Sequence, residues 1–243
     1  MPSVKLARET AAAFDRYVAQ AEARIEKTEA RNSKIEGGEL RIESAGAAAD
    51  AKVRGGMIQD WIGTMFVRGA TVDQARTVLQ DYASYKIYYA PQAIESKLLG
   101  HHADEHGDDE YDVFLRLHEK HILSVVLNTT YHVRYAMPDA QRLTVTSYST
   151  RIAEVKDTDK SYDEELPVGN DSGFLWRLNT YWRFQGADGG VWARCEAISL
   201  SRDVPFGLGW MLKGFLEGFP KKSMMNTLRG TRAAVMSRAH TGN

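Results

Sequence analysis

The feature that most constrains this chain is a succession of period-two segments through its middle. "YDVFLRLHEK" sets Tyr111, Val113, Leu115 and Leu117 on one side, and "HILSVVLNTTYHVRYAM" does the same with Val125, Leu127, Thr129, Tyr131, Val133 and Tyr135. Such alternation belongs to antiparallel strands with one face buried. "RLTVTSYSTRIAEVK", "GFLWRLNTYWRFQ" and "VWARCEAISLSRD" continue the series, and Gly186 to Gly190 supplies a hairpin turn between the last two. The charged stretch from Asp157 to Ser172 reads as a long loop.

A row of half-apolar strands must be covered, and the helical signals lie at its two ends. Phe14, Val18, Ala21 and Ile25 form one stripe, an N-terminal amphipathic helix, and Ser33 to Gly56 reads as a linker with one short strand. "MIQDWIGTMFVRG" is a loose strand. Thr71 is then an N-cap, with Val72, Ala75, Val78, Leu79 and Tyr82 on one helical face, and Pro91 stops helix near Tyr89. At the end, Met225, Leu228, Arg232 and Val235 share a face, with Met224 and Met236 at its edges. Strands grouped between terminal helices predict an α+β architecture, a curved antiparallel sheet wrapped around its C-terminal helix, with an extra N-terminal helix. Residues 1–52 are the arm and linker, and 53–240 the main domain.

Before that last helix, "VPFGLGWMLKGFLEGFPKKS" gathers Trp210, Met211, Phe215 and Phe219 among glycines. Lys213 and Glu217 interrupt it, and it is shorter than the about 20 apolar residues a membrane span requires. A bending lid over a cavity, a transient membrane-surface contact and an ordinary core helix all fit it. The net charge of -1 offers no field for nucleic acid, and the single cysteine, Cys195, excludes an internal disulfide and a cysteine-based zinc site. No apolar leader opens the chain, so as written it stays in the cytoplasm, or is exported if a leader was removed.

In "GFLWRLNTYWRF" the face Phe174, Trp176, Leu178, Thr180, Trp182, Phe184 is expected to be buried. The next strand sets only small side chains on one side: Val191, Ala193, Cys195, Ala197 and Ser199. Small residues beside aromatics leave room for an approaching helix or for a ligand. Methionines on the last helix either fill an irregular core or repack around varied guests.

The element order, with "DWIGTMFVRGATVDQARTVLQDYASYKIYYAP", "STRIAEV", "GFLWRLNTYWRF" and "CEAISLSRDVPFGLGW", resembles the START, polyketide cyclase and birch-pollen-allergen-like superfamily of helix-grip domains, most of all a bacterial branch, over about Gly56 to Arg238. The resemblance implies a cavity between sheet and C-terminal helix that holds a lipid or another hydrophobic small molecule. The candidate lining is Tyr131, Tyr135, Trp176, Trp182, Cys195 and Ser199 from strands, Trp210, Met211 and Phe215 from the lid, and Met225 and Leu228 from the helix. Arg151, whose strand-mates Ser147 and Ser149 are small, is the candidate for a carboxylate or phosphate head group.

No cofactor is expected. His101, His102 and His106 have no specific metal spacing and read as a polar hairpin, and neither a nucleophile elbow nor a phosphate-binding loop is present. A carrier of a hydrophobic molecule is therefore the expected function. A cyclase or aromatase using the same cavity is the alternative, and an interaction module with a filled core the third.

Overall fold

A computed structural model describes residues 3–28, 30, 40–45, 50–103, 108–120, 124–159, 161–203 and 209–241, with side chains of the C-terminal helix described for 218–239. In chain order the elements are β1 (Val4–Lys5), α1 (Arg8–Ile25), β2 (Leu40–Ser44), β3 (Asp50–Val53), β4 (Gly56–Arg68), α2 (Val72–Gln80), a 3-10 turn (Tyr82–Ser84), α3 (Tyr85–Tyr88), β5 (Ala93–Ala103), β6 (Asp109–Lys120), β7 (Ser124–Asp139), β8 (Arg142–Asp157), β9 (Ser161–Glu165), β10 (Asn170–Asp171), β11 (Arg177–Ala187), β12 (Gly190–Arg202) and α4 (Gly209–Thr241).

The main sheet runs β2-β4-β12-β11-β8-β7-β6-β5, with β3 paired to β4 and β9 to β8. Its pairings are antiparallel. Helices α2, α3 and α4 lie against its inner face, so the chain has the helix-grip fold. The stretch expected as linker holds two strands, β2 and β3, which extend the sheet along β4. The stretch expected as a loop from Asp157 holds β9, because Arg151 and Asn128 both bond the Glu165 carboxylate and tie that strand down. Among the described residues no helix is long and apolar enough to cross a membrane.

Local chemistry sets the inner helices. At α2 the Gln74 backbone N–H donates to Thr71 Oγ1 (3.2 Å) and the Thr71 N–H donates back to Gln74 Oε1 (2.9 Å), a reciprocal cap that fixes where the helix starts. Val72, Ala75, Val78 and Leu79 are then buried. In α4 the buried positions are Met224, Leu228, Thr231, Ala234 and Val235. The expected stripe through Met225 and Arg232 is thus rotated by one residue, because Thr231 faces inward to bond the Tyr89 hydroxyl (3.0 Å). Residues 209–217, for which a lid was one of three expectations, continue the same helix along the backbone, with Pro220 inside it.

Two glycines permit the close contacts of α4. A Cβ on Gly63 of β4 would lie 2.3 Å from Leu228 Cδ1 and 2.9 Å from Met224 Sδ. One on Gly230 would lie 2.3 Å from the Tyr88 carbonyl oxygen. Helix α4 is thus held against bare backbone on one side and against α3 on the other.

The outer face is covered by α1. Phe14, Val18, Ala21 and Ile25 pack on Ile58, Trp176, Tyr181, Ile198 and Leu200. Beneath that helix lie two carboxyls: the Arg24 guanidinium reaches both Asp60 Oδ2 (3.1 Å) and Glu196 Oε1 (2.6 Å), and Tyr17 donates to Asp60 Oδ2 (2.9 Å). Asp60 Oδ1 has no hydrogen-bond partner among the described residues. Burial, reinforced by the Glu196 charge, pushes the Asp60 carboxyl up to about 7 despite Arg24 and Tyr17. At β4, β12 and β11 the outer face is therefore a second interior.

Two outcomes follow. Gly63→Ala overpacks the α4 seat and is expected to cost about 1 to 3 kcal/mol, lowering the Tm by several degrees in thermal melts. Combined with Leu228→Ala, the loss should be smaller than the sum of the two single losses, since both act on one contact. For Asp60 the folded value lies above the unfolded one, so its contribution to stability is present at low pH and fades as pH rises toward about 7. Melts from pH 5 to 7.5 should show the wild-type Tm falling relative to that of Asp60→Asn.

Candidate functional site

Between the inner face and α4 lies a cavity of about 230 Å³. Its floor is the small-residue side of β12, Cys195, Ala197 and Ser199, with Leu178 and Thr180 of β11 beside it. Next to this floor, Leu228 fills the gap over Gly63. The same row of minimal side chains therefore serves two purposes, a helix seat on β4 and a hollow on β12. Val113, Leu115 and Leu117 of β6 and Tyr131, Val133 and Tyr135 of β7 form the far wall, while Phe219, Pro220, Ser223, Met224 and Thr227 of α4 form the roof.

Tyrosines of the segment between α2 and β5 close one side. Tyr135 Oη donates to the Leu79 carbonyl (2.8 Å) and accepts from Tyr82 Oη (2.8 Å), and Tyr85 Oη also donates to Leu79 O (2.5 Å). Tyr89 shares a hydrogen bond with Thr231 of α4. Arg238 pairs with Asp81 at 2.8 Å, a second tie between this segment and α4. Burial raises the phenols of Tyr82, Tyr85 and Tyr135 far above the ordinary tyrosine value and pushes that of Tyr89 up to about 12. They act as neutral hydrogen-bonding walls.

Three polar groups have a different character. Gln92 Nε2 donates to Glu119 Oε1 (2.8 Å), and burial pushes the Glu119 carboxyl up to about 7 against the pull of that bond and of the Lys222 charge. Tyr131 is 5% exposed, and among the described residues its hydroxyl has no hydrogen-bond partner. The neighbouring Thr129 hydroxyl, which eases that phenol's ionisation, donates instead to the Leu115 carbonyl (2.8 Å). Trp61 Nε1 is likewise buried without a partner among the described residues.

Of the residues expected from sequence, Tyr131, Tyr135, Trp182, Cys195 and Ser199 line this cavity. Leu228 does not; it is wholly buried in the contact with Gly63. Met225 is replaced in the lining by Met224, following the rotation of the helix face. Trp176 is a correction: residues 172–176 precede β11, so strand alternation does not reach it, and its indole donates to Asp171 Oδ1 (3.0 Å) while its ring packs under α1. Arg151 is another. A bulge between Thr130 and Tyr131 leaves Thr150 unpaired, so that Ser149 faces Tyr131 inside while Arg151 pairs with Thr130 outside and clamps Glu165. The side chains of Trp210, Met211 and Phe215 lie outside the described residues. A filled core does not describe this interior.

Sequence reading missed Tyr82, Tyr85, Tyr89, Gln92, Glu119 and Trp61. The one available signal was density, since four tyrosines fall between Tyr82 and Tyr89. His101 and His102 make cross-strand pairs with Asp109 (3.0 Å) and Glu110 (3.1 Å). Among the described residues no three metal-ligating side chains converge.

No protein-family model matches the chain, and no curated protein matches it in sequence. Solved structures do match. A STAR-related lipid transfer protein fragment from Xanthomonas axonopodis is 17% identical with a TM-score of 0.49, over 82% of this chain and 99% of that one. The lipid transfer and protein localization domain of human StarD13 is 9% identical with a TM-score of 0.47, over 90% of this chain and 95% of that one. The Zhui aromatase/cyclase from Streptomyces sp. R1128 is 12% identical with a TM-score of 0.43, over 75% and 94%. Likenesses this distant concern fold alone, and the helix-grip architecture is established by this chain's own strand order and the seat of α4.

Burial, with the Glu196 charge behind it, pushes the Cys195 thiol far above its ordinary value, and the thiolate is the reactive form. A thiol-reactive disulfide reagent at pH 8 should therefore label much less than one thiol per folded chain and the full single thiol after unfolding.

Proposed function

We propose that this protein binds an apolar small molecule in the cavity and carries or sequesters it. The observation that supports this is a hollow of about 230 Å³ whose lining surface is mostly apolar. Such a site takes up guests by removing their surface from water. A guest burying about 250 Å² of apolar area gains roughly 6 kcal/mol at about 25 cal/mol per Å², less the cost of ordering it.

Glu119 favours one second reading. A carboxyl whose value sits near neutrality is suited to proton transfer, and in a cyclase-like enzyme it would serve as acid or base on a folded chain. Binding requires no such group to turn over.

Native mass spectrometry of the protein purified from its host, before and after organic extraction, tests the binding reading. A reproducible added mass that extraction removes is the expected result. Ala197→Phe, which fills the floor, should lower occupancy at least about tenfold while keeping a cooperative melt. An added mass undiminished by that substitution would place the guest elsewhere, and a chemically altered guest abolished by Glu119→Gln would favour the enzyme.

A further inference from the structure

Two residues that line the inner cavity each carry a buried hydrogen-bond donor without a partner among the described residues. Tyr131 Oη on β7 is one, its side chain 5% exposed, and Trp61 Nε1 on β4 is the other. They stand on opposite flanks of the hollow, since β12, β11 and β8 lie between their strands. The other phenols of the lining are engaged: Tyr82 with Tyr135, Tyr85 and Tyr135 with the Leu79 carbonyl, and Tyr89 with Thr231. Among the described lining residues there is no Lys, Arg or His, and the one carboxyl is Glu119. The guanidinium that could have met an anion, Arg151, is outside on Glu165.

A buried donor left unpaired is costly, and the cost is recovered when a ligand brings an acceptor to it. We infer that the cavity selects an uncharged apolar molecule bearing a carbonyl or ether oxygen, and that Tyr131 is the specificity-determining donor, with Trp61 as the second. This rests on the binding reading above and narrows it to neutral oxygen-bearing guests, against plain hydrocarbons and carboxylates. Burial pushes the Tyr131 phenol up to about 12, so it keeps its proton across the physiological range.

A matched set of rigid probes tests this: 9-fluorenone, fluorene and fluorene-9-carboxylate, titrated against the full chain with tryptophan fluorescence as readout. Fluorenone should bind about tenfold more tightly than fluorene, the size of effect expected when one buried donor gains an acceptor, and the carboxylate should bind most weakly. In Tyr131→Phe the ketone preference should shrink toward unity with fluorene affinity unchanged. Its ligand-free Tm should hold or rise, because the substitution removes an unpaired buried hydroxyl. Trp61→Phe provides a second variant, expected to reduce any remaining preference. Equal binding of ketone and hydrocarbon by the wild type, or a preference that survives both substitutions, would overturn the inference while leaving the cavity a general apolar binding site. Tightest binding of the carboxylate would also overturn it. If neither fluorene nor fluorenone binds, this inference and the binding reading fail together.

Discussion

The contact on which the rest of the molecule depends is the one between α4 and the bare backbone at Gly63. With no side chain there, Leu228 sinks onto β4 and Met224 follows one turn earlier. The helix is thereby anchored toward one flank of the curved sheet. Because β12, the next strand, presents only small side chains on the same face, the space beside the anchor is left hollow rather than filled. A single bulky residue at either place would change the interior, by lifting the helix or by plugging the void. Overpacking and cavity are here two results of one choice of residue size.

Much of the architecture was legible in the chain because each part was signalled locally. Period-two alternation marked β6, β7, β8, β11 and β12, and Thr71 marked the start of α2. The stripe Phe14, Val18, Ala21, Ile25 marked α1. What was not legible depended on nonlocal pairing. Arg151 turns outward because its strand carries one more residue than its partner at Thr150, and a bulge of that kind is invisible without the partner. Trp176 fails the alternation because the strand has not yet begun. The small-residue side of β12 was visible, but whether a helix or a void would occupy it was decided by Gly63, one strand away.

The polar interior of the outer layer was less legible. Strands with arginines on one face suggest a wet surface, yet α1 covers part of it and sets the Arg24 guanidinium against two buried carboxyls. Buried ion clusters of this sort add little net stability, but they tolerate few alternative arrangements, and Asp60, Glu196, Arg24 and Tyr17 together fix where α1 sits. The arm is thus positioned by polar geometry and held by apolar area.

That covering makes the molecule uneven in thickness. Over β4, β12 and β11 there are three layers, α1 outside, sheet, and α4 inside. At β5, β6 and β7 the outer side chains Lys97, Asp112 and Arg134 meet solvent, with exposures of 61%, 48% and 45%. Regions with fewer buried contacts open at lower free energy. By that argument the thin flank, which carries the Tyr131 wall, should open more readily than the thick one. If the cavity takes a guest as proposed, adaptation to its shape would fall to β5 through β7 rather than to the floor.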